Sequence, residues 1–215
     1  MNWKVFTLTF GICVCSLSLI TVVDDALAAA LRSIMPGLQW VAWVRIPSLV
    51  VCVALFVITN PANSYRLPQI ETITFPVVAL VLLWLLPAAY AVLIAKVWVP
   101  SLPRWIDVVA FMLTGLLAEE LLFRGVVFQV VLRCARSVVP TSAWAAAVLV
   151  SAGFFAVQHL QYHGFQLTPA AAVQIAYTFG MGVVFGLLRE KTGSIWPPIV
   201  VHSITNSFTL WRTFT

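Results

Sequence analysis

Charged side chains are scarce in this chain. Asp, Glu, Lys and Arg make up 9% of its 215 residues, and apolar residues make up 62%. A typical soluble domain carries about 25% charged residues, so this composition cannot cover a surface that faces water. In such a chain the net charge of +5 says little about nucleic acid, and because no run of basic residues or RNA-binding signature occurs, we expect no nucleic-acid partner. We therefore predict an integral membrane protein.

Cysteines, linkers and repeats are also few or absent. The four cysteines form no CxxC pair and lie in or beside apolar segments, which favours buried apolar roles and leaves the redox compartment open. No long linker, low-complexity tract or obvious internal repeat interrupts the sequence. We expect one integral membrane domain with N-terminal transmembrane helices at 1–105 and a core at 106–215.

Long apolar segments predict an all-α, polytopic bundle with about seven spans, since a span needs about 20 apolar residues. The first segment resembles a signal peptide but is longer than the usual apolar region of about 7–15 residues, so we expect a retained helix. Basic residues near segment ends, including Arg189, are interpreted as loop or interfacial charges. The segments are Val5–Val23, Leu38–Thr59, Phe75–Val99, Ile106–Cys134, Ser142–His159, Pro169–Leu188 and Ile195–Leu210.

Two of the seven acidic residues, Glu119 and Glu120, lie inside the fourth apolar segment. An ionisable side chain at membrane depth costs roughly 2.5–3.5 kcal/mol, and such residues usually serve a function. Residues four apart share a helix face, so Glu120 is predicted to pair with Arg124. Glu119, one position earlier, is expected to face a different neighbour.

Further polar groups follow on two later segments. His159 ends the fifth segment, and His202 and Asn206 lie four apart on the seventh. A buried carboxylate can act as a general base, an imidazole can help to position water, and an imidazole with an amide can stabilise an oxyanion. This set predicts amide hydrolysis without a Ser or Cys nucleophile. Taken singly, each motif also fits a structural role, such as an ion pair or bonding between helices.

The combined pattern resembles the CAAX-protease and bacteriocin-processing family of intramembrane proteases, also called the CPBP or abortive-infection family. That family carries EExxxR, FxxxH and HxxxN motifs on successive transmembrane helices. The resemblance implies that Glu120 and Arg124 support the motif helix. The motifs in this sequence are Glu119-Glu120…Arg124, Phe155…His159 and His202…Asn206.

The same resemblance implies roles for the remaining motif residues. Glu119 would activate water with His159 beside it, and His202 and Asn206 would bind the oxyanion. The family has been described both as metal-independent glutamate proteases and as metalloproteases. We favour the glutamate mechanism without a cofactor, because Asn206 is better suited to donating a hydrogen bond than to binding zinc. The alternative is one zinc ion held by Glu119, His159 and His202.

The expected function is therefore that of an intramembrane endopeptidase. Its partners would be the lipid bilayer and a membrane-tethered or lipid-anchored protein or peptide substrate. We expect a multi-pass protein of a prokaryotic cytoplasmic membrane. The substrate class stays open between prenylated proteins, bacteriocins and sorting signals.

Two other kinds of function remain as alternatives. A non-catalytic immunity or scaffolding protein of the same fold would bind a membrane peptide without turnover. A proton-coupled transporter could use Glu119, His159 and His202 as a relay. Transporters of that kind carry broken helices and internal repeats, and neither is evident in the sequence.

Overall fold

The structure, a computed structural model, describes residues 46–60 and 115–213, with side chains at 48–60 and 115–206. Within these ranges the chain forms helices and no strand, which agrees with the predicted all-α class. We number the helices in chain order. They are α1 (Ile46–Thr59), α2 (117–136, in three consecutive segments, Leu117–Glu120, Leu121–Val127 and Phe128–Arg136), α3 (Ala143–Gln158), α4 (Pro169–Thr192) and α5 (Trp196–Thr213).

Local residue chemistry explains where α4 begins and ends. The hydroxyl oxygen of Thr168 accepts a hydrogen bond from the Ala171 N–H at 3.1 Å, and Pro169 occupies the first helical position. A side-chain cap followed by proline is a favoured helix start. Gly193 then adopts a left-handed conformation with φ of 63° and donates its N–H to the Arg189 carbonyl. A glycine accepts this conformation without the steric penalty of a Cβ atom, so α4 stops there.

Helices α3 and α4 pack closely because α4 presents two glycines to α3. A Cβ atom built at Gly182 would lie 2.8 Å from the Cα of Ala152, and one at Gly186 would lie 3.1 Å from a methyl group of Val148. Membrane helices commonly use small residues spaced by four for such contact. Gly182 and Gly186 thus let the backbones of α3 and α4 approach closely.

Two stretches in the described part of the chain are long and apolar enough to cross a membrane, Pro140–His163 and Pro169–Thr192. They contain the fifth and sixth predicted segments. The first is α3 with a 3₁₀ turn at each end, Pro140–Ser142 and His159–His163. The predicted spans Val5–Val23 and Phe75–Val99 lie outside the described residues, as does most of 1–105, so the count of about seven stays a prediction.

One sequence-based assignment of a basic residue was wrong. Arg189 was expected in a loop, but α4 continues to Thr192 and Arg189 is a buried helical residue with 4% of its surface exposed. Its guanidinium group reaches polar acceptors inside the bundle, as described below. Two of these acceptors, on Asn60 and Arg124, come from distant parts of the chain, so composition near the segment end could not reveal them.

The close α3–α4 contact can be tested with two glycine-to-alanine changes. Gly182→Ala places a methyl group against the backbone of Ala152. We expect it to lower the free energy of unfolding by about 1–3 kcal/mol, since overpacking forces backbone shifts. Gly153→Ala is the matched control, because nothing lies within 4 Å of its added Cβ. It should stabilise α3 by about 0.5–1 kcal/mol. Equal unfolding temperatures for the two purified variants in detergent would contradict a close contact between α3 and α4 at Gly182.

Candidate active site

The helix that carries both glutamates changes its winding immediately after them. Glu119 and Glu120 close a short α-helical segment, and Leu121–Val127 continue as a π-helix in which every residue is buried. The four-residue spacing that predicted the Glu120–Arg124 pair assumed regular α-helical geometry, which these residues do not adopt. π-helical segments are rare and occur often at functional sites. Despite the wider winding, the pairing of Glu120 with Arg124 is retained.

Glu120 is fully buried, and one of its carboxylate oxygens accepts two hydrogen bonds. Its Oε1 accepts a hydrogen bond from Nη1 of Arg124 at 3.0 Å and a second from Nδ1 of His202 at 2.7 Å. The predicted pair with Arg124 is confirmed, whereas the contact with His202 was not foreseen. Because a carboxylate bound to a guanidinium group can only accept, His202 donates from Nδ1. We call these three residues the buried cluster.

Three phenylalanine rings enclose the guanidinium group of Arg124. Its central carbon lies 4.2 Å from the ring centroid of Phe155, 4.9 Å from that of Phe185 and 5.9 Å from that of Phe123. The Nε and Nη2 atoms make no hydrogen bond to the part of the chain that the structure describes. Aromatic faces attract a cation within about 6 Å, more strongly when water is excluded. The rings thus stabilise the part of the charge that Glu120 does not contact.

His202 lies between the two glutamates. Its Nε2 is 4.0 Å from Oε2 of Glu119, on the opposite side of the ring from the contact with Glu120. The side chain of Glu119 is 14% exposed, while that of Glu120 is 0% exposed. The adjacent carboxylates therefore differ in exposure, although both approach the His202 ring.

His159 is held at the end of α3. Its Nδ1 lies 2.8 Å from the carbonyl oxygen of Phe155, one turn earlier, and donates to it since a carbonyl only accepts. With the proton on Nδ1, the ring lone pair lies on Nε2, which makes no hydrogen bond to residues 46–60 or 115–213. The electrostatic environment of His159 includes Glu119 and His202.

Phe155 joins the three motifs, a role that sequence reasoning missed. Its ring meets the rings of His159 and His202 edge-on, with centroids 4.8 Å and 5.6 Å away, and also covers Arg124. The sequence shows Phe155 only as a spacing signal four residues before His159. Phe185, which packs 4.9 Å from the His202 ring, gives no signal beyond being apolar.

Asn206 is the predicted site residue that the structure does not bring into contact with the others. It lies one turn after His202 on α5, is half-buried, and makes no hydrogen bond to the described residues. The remaining predicted residues converge, with Glu119, Glu120, Arg124 and His202 in one group and His159 joined to it through Phe155.

The zinc alternative requires Glu119, His159 and His202 to converge on one ion. Within residues 46–60 and 115–213, no three His, Cys, Asp or Glu side chains are placed to hold a metal ion. This includes the predicted set of Glu119, His159 and His202. His202 directs Nδ1 to Glu120, and only Nε2 faces Glu119. A ring that donates Nδ1–H to a carboxylate keeps Nε2 for a ligand or a water molecule, so this contact is compatible with both mechanisms, and the choice of catalytic type stays a prediction.

Comparison with known families identifies the chain. Residues 100–208 match the model of the Rce1-like, type II CAAX prenyl endopeptidase family. The chain belongs to this Rce1-like family. No curated protein and no solved structure matches it. The match covers all three motifs and confirms the resemblance seen in the sequence. The chain is thus a membrane protein of a family of CAAX-type endopeptidases, which act on prenylated, membrane-anchored proteins.

The Glu120–Arg124 pair can be tested through the stability of single and double variants. Arg124→Met leaves the buried carboxylate without its guanidinium partner, and we expect a loss of about 3–5 kcal/mol in the free energy of unfolding. Adding Glu120→Gln removes the uncompensated charge and should recover part of that loss. Thermal unfolding of the purified proteins measures both.

Arg136→Met serves as the control for this pair, because Arg136 is exposed at the end of α2 and should tolerate the change. If the double variant loses as much free energy of unfolding as the two single variants lose in sum, the two side chains do not interact.

Proposed function

We propose that this member of the Rce1-like family is an intramembrane endopeptidase of the glutamate type, with Glu119 as the general base. The observation that supports this most is the difference between the adjacent carboxylates. Glu120 is sealed and bound to Arg124 and His202, whereas Glu119 keeps 14% of its side chain exposed. A general base must reach a water molecule and take its proton. Glu119 meets that need and Glu120 does not.

His159 is proposed to share the water molecule with Glu119. Because its Nδ1–H is directed to the Phe155 carbonyl, its Nε2 lone pair can accept a hydrogen bond from that water. Glu119 removes one proton, and the resulting hydroxide attacks the carbonyl carbon of the substrate peptide bond. The tetrahedral intermediate then collapses, the C–N bond breaks, and the proton held by Glu119 passes to the leaving nitrogen.

His202 is proposed to stabilise the oxyanion of that intermediate. Its Nδ1–H already points to Glu120, so donation from Nε2 requires the protonated ring. The carboxylate of Glu120 stabilises this cation directly. Preorganised donors of this type supply a large share of catalysis in acyl transfer. Asn206, one turn away on the same helix, is the proposed second donor.

The proposed substrate is a prenylated or otherwise lipid-anchored protein in the same bilayer. The family's name as CAAX prenyl endopeptidases supports a prenylated substrate. Two apolar helices long enough to span a bilayer, 140–163 and Pro169–Thr192, support a cleavage site inside the membrane or at its surface. We further propose a multi-pass location in a prokaryotic cytoplasmic membrane.

Replacing the proposed base tests the function directly. Glu119→Gln keeps the shape of the side chain but cannot accept the proton, so cleavage should fall about 10²–10⁴-fold. We would compare the termini of membrane proteins by mass spectrometry in cells that express wild type or the variant at equal levels. Glu190→Gln is the matched control, since Glu190 pairs with Lys191 and takes no part in the proposed chemistry.

New termini with wild type and Glu190→Gln, but not with Glu119→Gln, would support the endopeptidase and identify its substrate. Identical termini in all three, together with an unchanged phenotype, would favour the non-catalytic immunity or scaffolding alternative.

The catalytic type can be tested by removing metals. We expect purified protein treated with a strong chelator and dialysed to keep its rate of peptide cleavage, since the proposed mechanism uses only side chains and water. Activity that disappears on chelation and returns with added zinc would contradict the glutamate mechanism. Measuring circular dichroism on the same samples separates loss of metal from loss of fold.

A further inference from the structure

A second group of buried polar side chains lies outside the proposed chemistry. Asn60, at the end of α1, is 8% exposed and Arg189, near the end of α4, is 4% exposed. Nη2 of Arg189 donates a hydrogen bond to Oδ1 of Asn60 at 3.0 Å, across 129 positions of sequence. No step of the proposed hydrolysis uses either residue. We call them the Asn60–Arg189 pair.

Both members of the pair also bind the backbone of the π-helix. Nδ2 of Asn60 donates to the carbonyl oxygen of Gly125 at 3.2 Å, and Nε of Arg189 donates to that of Arg124 at 3.3 Å. These carbonyls are adjacent in sequence and lie within the segment that follows the two glutamates. Buried backbone groups must find partners, and irregular winding is stabilised where side chains supply them.

Additional contacts fix the pair in place. Nη1 of Arg189 donates to the carbonyl oxygen of Gly193, the residue that ends α4. The three nitrogen atoms of this guanidinium group thus donate to three different acceptors. The compact ammonium group of a lysine could not do so. On the other side, a Cβ atom at Gly125 would lie 2.2 Å from the Phe56 ring. The absence of that atom lets α1 bring Asn60 to the π-helix.

We infer that Asn60 and Arg189 are positioning residues that hold the π-helical winding and thereby orient Glu119 and Glu120 towards His202. This inference rests on the proposed function for its kinetic consequences. The Arg124 carbonyl is held by Arg189, while the Arg124 side chain holds Glu120. A return of this segment to α-helical winding would rotate the glutamates relative to His202 on α5.

Arg189→Gln tests the inference by kinetics. The glutamine cannot reach all three acceptors, so kcat should fall by about 10-fold or more, since small displacements of catalytic groups cost up to about 100-fold. KM should stay within about two-fold, because the variant leaves the outer surface unchanged. Lys191→Gln is the matched control, two residues further along α4 and exposed. Each rate is divided by the concentration of folded protein in the purified full-length sample.

Two further variants keep the test decisive. Arg189→Lys retains the charge but can satisfy fewer acceptors, and its kcat should lie between wild type and Arg189→Gln. Asn60→Asp keeps the acceptor for Arg189 while removing the donor to Gly125, so it should also lower kcat. Should Arg189→Gln not fold, Asn60→Asp decides the matter by the same kinetic comparison.

A readout independent of activity comes from the imidazole rings. The chain contains three histidines, so ¹⁵N labelling of their rings gives few NMR signals. In Arg189→Gln the His202 signals should shift, because its Nδ1 contact with Glu120 changes. His163, bound to Gln174 at 2.6 Å, is the internal reference and should not move.

The outcomes separate this inference from the proposed function. Shifted His202 signals in a chain that shows no peptidase activity even as wild type would retain the positioning role and reject the endopeptidase. An active wild type whose Arg189→Gln variant keeps both kcat and the His202 signals would overturn the inference. A variant that unfolds at a lower temperature but keeps its kcat per folded molecule would also overturn the inference, because Arg189 would then serve stability alone.

Discussion

The rest of this site depends on one carboxylate oxygen that accepts two hydrogen bonds. Oε1 of Glu120 receives both the Arg124 guanidinium group and the His202 imidazole in a place that water does not reach. A buried charge is tolerated only when it is paired and hydrogen-bonded, so neither partner can leave without a large penalty. This requirement fixes α5 against α2. Phe155 from α3 and Phe185 from α4 pack on the side chains of Arg124 and His202. Four helices therefore meet around the Oε1 atom of Glu120.

The parts of this arrangement that were predictable from sequence are the local ones. Apolar segments located α3 and α4 because hydropathy is read along the chain, and the four-residue spacing predicted the Glu120–Arg124 pair because helix geometry is local. The π-helix and the burial of Arg189 were not predictable in this way. Both depend on hydrogen bonds between residues 65 or more positions apart, and those partners carry no recognisable pattern. Phe155 was visible only as motif spacing, since its contacts with both histidines arise from packing.

The adjacent glutamates show how a single step along a helix can separate two functions. Glu120 is buried inside the bundle, where Arg124 and His202 compensate its negative charge. Oε2 of Glu119 lies 4.0 Å from Nε2 of His202, and 14% of the Glu119 side chain is exposed. Under the proposed mechanism the first carboxylate organises donors and the second exchanges protons with water. A pair of carboxylates on one helix face would repel each other at this depth, so adjacency is the spacing that permits both roles.

Hydrolysis within a bilayer imposes opposite demands on neighbouring residues. Under the proposed mechanism, water must reach Glu119 and His159, yet it must be kept from Glu120 and Arg124, because water there would weaken the contacts that hold His202. The π-helix lies at this boundary, with Glu119 and Glu120 just before it and the carbonyls bound by Asn60 and Arg189 within it. A wider winding is less stable than an α-helix and persists only where its surroundings require it. The buried cluster anchors this segment through side chains and the Asn60–Arg189 pair anchors it through the backbone. The proposed site therefore depends on two buried polar networks that meet at Arg124, one through its guanidinium group and the other through its carbonyl oxygen.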